Sequence, residues 1–250
     1  MIEIALFVTG IIAGCVNAVA GGGILFVFPV LLMAGLSPLA AAMTCSFAGW
    51  PGALASAFGY KKDLKKVKQR YFWLVFPAVG GATLGSIALL NTSHATFETL
   101  VPWLILASVA LFAFQPHLHR YIHKPHHMRK NSPFILLMLL IFPVSIYAGY
   151  FGAGFGFILL AILSFTKLKN VYQINGMKNV MAAGISITCG ILYSTSGLIA
   201  WEYVIYPLVG SVVGGVIGSH LAHRLSPHTT RTVVISMGIF VVGSLFGDFL

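Results

Sequence analysis

Lys178 stands inside a long apolar stretch, in the pattern Asn175-x-x-Lys178-Asn179. On a helix, Asn175, Lys178, Asn179 and Ala182 share one face, and Ser186 continues that stripe. A buried ammonium is costly unless an opposite charge accompanies it, and the sequence places no acidic residue beside this one. A bound anion would supply the missing charge. The plainer role is structural: a lysine near the cytoplasmic end of its span can snorkel to the headgroups or cap backbone carbonyls.

Two glycine-rich stretches offer a second means of holding an anion. Where a half-helix begins, free N–H groups and the positive end of the helix dipole attract negative charge without a charged side chain. Gly21, Gly22 and Gly23, and later Gly154 and Gly156, would let such backbone approach a ligand closely. Asn17 is placed to orient it. Close helix packing through small residues is the competing use of each of these glycines.

Other chemistries find less support. The chain has no HExxH, no GxSxG and no pair of carboxylates within an apolar stretch, so it reads as neither an enzyme nor a cofactor protein. Its five acids, Glu3, Asp63, Glu98, Glu202 and Asp248, lie at segment ends or in loops, which weighs against a cation pump. The run His117-x-His119-x3-His123-x2-His126-His127 invites a metal reading. It lacks Cys and carboxylate partners, and a solvated basic loop facing an anionic leaflet is the simpler account. Cys15, Cys45 and Cys189 sit in apolar segments without a paired spacing, as small buried hydrophobes do.

The elements that must position these residues are membrane spans. Of 250 residues, 58% are hydrophobic and 8% charged, with a mean hydropathy of +0.92. A soluble domain carries roughly 25% charged residues, so the chain is a membrane protein. The net charge of +10 comes from short basic runs between apolar stretches, which makes nucleic acid a poor partner and the lipid bilayer the expected one. The N-terminus enters apolar sequence at once, without the basic region of a signal peptide, so the first segment is expected to be retained.

Eight apolar runs follow one another, and the first, from Ile4 to Ala34, and the fifth, from Phe134 to Phe165, are half as long again as a span needs. They share a pattern. Ile11-x-Ala13-Gly14-x3-Ala18-x2-Gly21 recurs as Ile146-x-Ala148-Gly149-x3-Ala153-x2-Gly156, an offset of 135. Pro77-x-Val79-Gly80-x4-Gly85 recurs as Pro207-x-Val209-Gly210-x4-Gly215, an offset of 130. The chain thus divides into a first repeat at 1–115, a cytoplasmic His-rich basic linker at 116–133 and a second repeat at 134–250. By the offset of 135, Lys178 aligns with Met43 and Asn179 with Thr44, so a shared site would be charged from one half only.

Charge then sets the topology. If each long run is a hairpin of two half-helices, broken at Asn17 to Gly23 and at Gly152 to Gly156, every Lys- and Arg-bearing loop faces one side. The positive-inside bias makes that side cytoplasmic. Each half becomes a broken helical hairpin plus three transmembrane helices, an odd number of crossings, so the halves are inverted repeats of an all-α polytopic membrane protein. Half-helices of about 13 to 15 residues would meet near the middle of the bilayer. Their exposed backbone needs protein or water around it, so the two tips are expected to face each other.

The motifs Ala13-Gly14-x3-Ala18-x2-Gly21-Gly22-Gly23 with Pro29 beyond, Met177-Lys178-Asn179-Val180, Gly197-x3-Trp201 and Gly210-x3-Gly214-Gly215-x2-Gly218 resemble the sulfite exporter TauE/SafE family of bacterial membrane transporters. The likeness covers nearly the whole chain. It implies transport of small anions such as sulfite, sulfonates or related organic acids, across a bacterial inner membrane. The expected site comprises Asn17, Gly22, Gly23, Thr44, Gly154, Gly156, Asn175, Lys178 and Asn179, with no metal. A metal-cation transporter loaded by the His-rich loop is the alternative. The sequence leaves open whether copies associate as a homo-oligomer.

Overall fold

The computed structural model describes residues 1–19, 21–113, 133–168 and 170–222. The His-rich linker and the last apolar run, with Arg224, Arg231 and Asp248, lie outside the described residues. Those described form helices and no strand: α1 (Ile2–Val19), α2 (Ile24–Met33), α3 (Pro38–Gly59), α4 (Lys61–Leu64), α5 (Val75–Leu90, preceded by a 3-10 turn at Gln69–Leu74), α6 (His94–Ala113), α7 (Phe134–Tyr150), α8 (Phe155–Ser164), α9 (Val171–Ser194) and α10 (Trp201–Leu221).

Both long apolar runs are broken. The first splits into α1 and α2 and the second into α7 and α8. Each break falls where glycine takes up a left-handed backbone, with φ of +99° and +92° at Gly21 and Gly22 and +79° and +80° at Gly152 and Gly154. Residues with a Cβ rarely adopt that conformation, so the helix persists until the glycines permit the turn. The arms are therefore unequal, contrary to the even halves expected: 18 and 10 residues in the first hairpin, 17 and 10 in the second. The short arms span about 15 Å, half of a core about 30 Å thick, and they set the depth of each tip. At about 27 Å, α1 by itself comes close to crossing.

Packing repeats when the halves are exchanged. Helix α1 lies along α10, and α7 lies along α5; α10 packs on α3, and α5 on α9; α3 and α9 pack on each other at the centre. Glycines set the closest approaches. A Cβ at Gly210 would strike the carbonyl of Phe7, and one at Gly81 the carbonyl of Phe142; Gly214 meets Ile11 O as Gly85 meets Ile146 O. The α1 and α7 partners are 135 residues apart, whereas the glycines that meet them, Gly81 with Gly210 and Gly85 with Gly214, are 129 apart. The sequence match had paired Gly80 with Gly210 and Gly85 with Gly215. Its offset of 130 is one residue too long, because adjacent glycines at 80 and 81, and at 214 and 215, make either register match by letter.

Helices α3 and α9 are long enough to cross a membrane, but they are not among the strongly apolar spans, which are Ile2–Val19, Gln69–Leu90, His94–Leu111 and Trp201–Leu221. Their polar side chains explain the difference. Thr44 and Ser56 on α3, and Gln173, Asn175, Lys178 and Asn179 on α9, are all buried, which is possible only because neighbouring helices screen this pair from lipid. The lipid-facing side is marked by Trp73, Trp103 and Trp201, each more than half exposed. Ser37 opens α3 by accepting from Ala40 N at 3.4 Å, with Pro38 in the first turn, and Asn170 opens α9 by accepting from Gln173 N at 2.8 Å. Those caps fix the registers that aim the polar stripe of α9 at the hairpin tips.

Candidate functional site

The two tips meet. Gly21 lies so close to Gly156 that a Cβ on it would come within 2.7 Å of the Gly156 Cα. Beside this contact is a cavity of about 80 Å³, walled by both hairpins and by α3, α9 and α10. A single water needs roughly 10–15 Å³ of such space, so the cavity has room for a small anion and little more.

Lys178 reaches the cavity wall from α9, with 1% of its surface exposed. Among the described residues it is the one buried Lys, Arg, Asp or Glu side chain. Its Nζ donates to Asn17 O at 2.6 Å and to Ala18 O at 3.4 Å, carbonyls in the last turn of α1. Ala18 O also accepts from Asn179 Nδ2 at 3.0 Å and from Tyr60 Oη at 3.2 Å. The end of α1, where carbonyls lack helical partners and the dipole is negative, is thus clasped by α9. This is the capping role anticipated for the lysine, met at the tip of the first hairpin instead of at the headgroups. Carbonyls accept the hydrogen bonds of Nζ and bring no opposite charge to it.

The equivalent carbonyl in the second half is Ala153 O. It accepts from Tyr147 Oη at 2.6 Å and from Ser108 Oγ at 3.1 Å, both neutral hydroxyls. Each tip is held by side-chain donors, and among the described residues only the first by a lysine.

Of the residues expected at a site, Asn17, Gly23, Gly156, Lys178 and Asn179 line this one cavity. Asn17 also steadies the first tip, its Oδ1 accepting from Gly23 N at 2.8 Å. The others stand off the wall. Gly22 and Gly154 shape the turns through positive φ, and Thr44 accepts from Ala200 N at 3.1 Å, fastening the start of α10. Asn175 is buried one turn before Lys178, with its Oδ1 unpartnered. The sequence reading missed the α3 wall, where Cys45, Gly49 and Ala53 face the cavity with Ser46 beside them. Small residues at four-residue spacing were its available signal. Ser211 of α10 closes another side and donates to Ala48 O at 3.0 Å. Two cysteines read as plain core, Cys45 and Cys189, are buried as expected yet also line the cavity. Among the described residues no group of three or more His, Cys, Asp or Glu side chains could hold a metal ion.

A helical membrane protein with broken hairpins meeting at a small internal cavity, apolar for the most part and carrying a few polar groups, has the build of a transporter. The chain belongs to the sulfite exporter TauE/SafE family, whose profile matches residues 6–245. It is 28% identical over 246 residues to a probable membrane transporter protein of Haemophilus influenzae, covering 97% of this chain and 94% of that one. A probable membrane transporter protein, ORF9, of Sinorhizobium sp is 24% identical over 97% of this chain and 92% of its own. The probable membrane transporter protein YfcA of Escherichia coli K12 is 22% identical, with 97% and 89% covered. No solved structure matches the chain.

Proposed function

We propose that this transporter moves small anions such as sulfite, sulfonates or related organic acids, outward across a bacterial inner membrane, by alternating access between inverted halves. The observation that carries the reading is the buried Lys178 ammonium at the wall of a cavity sized for a small solute, with no carboxylate among the described residues beside it. An anion entering there completes the charge balance and competes with Asn17 O for the ammonium. As Nζ turns toward the anion, the clasp on α1 loosens and the first hairpin is freed to move, which couples binding to the change of access. The positive dipole ends at the starts of α2 and α8, near Gly23 and Gly156, add to the same side of the balance. Thr44, Gly22 and Gly154 act from behind the wall, holding backbone and helix positions, and Asn175 stands one turn before Lys178 on the same helix.

Export needs no coupling ion, since a monoanion leaving a negative-inside cell gains about 2.3 kcal/mol per 100 mV. Counterflow in proteoliposomes against sulfite, sulfoacetate, taurine, sulfate, acetate and nickel tests the substrate class. Exchange of anions and not of nickel is the expected result, and nickel exchange would replace this reading by the metal-cation one.

Gly49 allows the cavity to be filled without disturbing the packing, because a Cβ there has no heavy atom within 4 Å. Replacing a mid-helix glycine by alanine favours the helix by about 1 kcal/mol. Gly49→Ala is therefore expected to melt at or above the wild-type temperature, while Gly49→Val folds and transports markedly less. Unchanged transport in Gly49→Val would remove the cavity from the pathway.

Sidedness is open to labelling. A cysteine replacing Lys65, in an otherwise cysteine-free chain, should react with impermeant reagent only from the cytoplasm, and one replacing Leu198 only from outside. Labelling of both from the same side would exclude the inverted arrangement.

A further inference from the structure

Beside the basic segment that follows α3 runs a second groove, of about 550 Å³, unconnected with the central cavity in its lining. Its apolar wall is made by Leu54 and Phe58 of α3, Leu64 of α4 and Phe72 of the 3-10 turn, and Lys61, Lys65 and Gln69 are its polar lining residues. Phe58 is 70% exposed and both lysines are exposed, so the groove opens outward. Residues 61–70 carry Lys61, Lys62, Lys65, Lys66, Lys68 and Arg70 against Asp63 alone, a local excess of five positive charges.

We propose that this groove is a binding site for an anionic phospholipid, with the headgroup phosphate between Lys61 and Lys65 and an acyl chain along Leu54, Phe58, Leu64 and Phe72. Charge and polarity select this occupant. An apolar trough lined also by two lysines, at the boundary between a span and its basic loop, matches an amphiphile with a negative head. A zwitterionic lipid would bring its own cation to the lysines. A soluble anion would leave the trough exposed to water. The site also has a route to the transport machinery: Leu64 lines the groove and lies where a Cβ on Gly176 of α9 would touch it at 3.0 Å, two residues before Lys178. A chain seated in the groove would press α4 against the start of that helix.

The test uses the full-length protein purified in detergent, titrated with phosphatidylglycerol, with phosphatidylcholine of the same acyl composition, and with glycerol 3-phosphate. Melting temperature and lipid-bound mass are the two readouts. Phosphatidylglycerol should bind and stabilise, and the other two should not. Lys61→Gln with Lys65→Gln should weaken phosphatidylglycerol binding by roughly 30-fold, from about fivefold per lysine. The pair Lys62→Gln with Lys68→Gln, which removes equal charge away from the groove, should weaken it far less. Leu54→Trp, which fills the trough and keeps both lysines, should abolish the bound lipid. The proposal is overturned if the two lysine pairs behave alike, if phosphatidylcholine or glycerol 3-phosphate stabilises equally, or if Leu54→Trp retains full binding.

Discussion

Lys178→Met is expected to lose anion binding while still producing folded protein. A hydrogen bond to a charged group contributes about 1.5–3 kcal/mol, so affinity should fall by about one to two orders of magnitude. The folded state should survive because Ala18 O keeps Asn179 Nδ2 and Tyr60 Oη as donors. Asn17 O loses its 2.6 Å partner, which costs stability, whereas removing a buried charge restores some of it. Lys178→Arg should fare poorly in the same assay, since a wide planar fork does not fit where a compact ammonium is 1% exposed. Anion affinity and melting temperature, measured together, separate two roles. If the lysine only clasps the end of α1, Lys178→Met will melt lower with affinity unchanged, and the anion site proposed here will be wrong.

The second large effect is a contrast between neighbours. Gly81→Ala should severely destabilise the protein, and Gly80→Ala should leave it close to wild type. A Cβ at 81 strikes Phe142 O, a backbone atom locked in α7, while one at 80 finds only Phe142 Cε2 at 3.6 Å, an ordinary contact. Overpacking costs about 1–3 kcal/mol when side chains can yield; a carbonyl held in a helix yields less, so about 3 kcal/mol is expected at position 81. Gly210→Ala should match Gly81→Ala, because it meets Phe7 O in the equivalent way. Thermal melting and monodispersity in detergent would read all three. A destabilised Gly80→Ala beside a stable Gly81→Ala would refute the packing register between α5 and α7.

That register also marks how far the sequence could be read. Its apolar runs, charge deficit and repeated motifs were enough to indicate an all-helical membrane protein of this family, because burial in lipid constrains every stretch of about 20 residues by composition alone. The breaks in the long runs were legible too, since left-handed turns inside apolar sequence call for glycine. Lys178 was conspicuous because a charge within a span always requires an explanation. Letters could not choose between adjacent glycines, so the offset between α5 and α10 came out one residue long. Nor could composition reveal that the ammonium is spent on Asn17 O and Ala18 O, more than 150 residues away in the chain.

What the sequence by itself determined is therefore, among the described residues, the membrane-spanning helices, the breaks in the two long runs and the one buried lysine, each of which follows from local composition. Which face of α3 meets the cavity, and that Cys45, Gly49 and Ser211 wall it while Thr44 and Asn175 do not, was decided by the tertiary structure. Helix rotation depends on how closely two backbones approach. Here that distance is set by glycines on one helix meeting carbonyls on another from the opposite half of the chain.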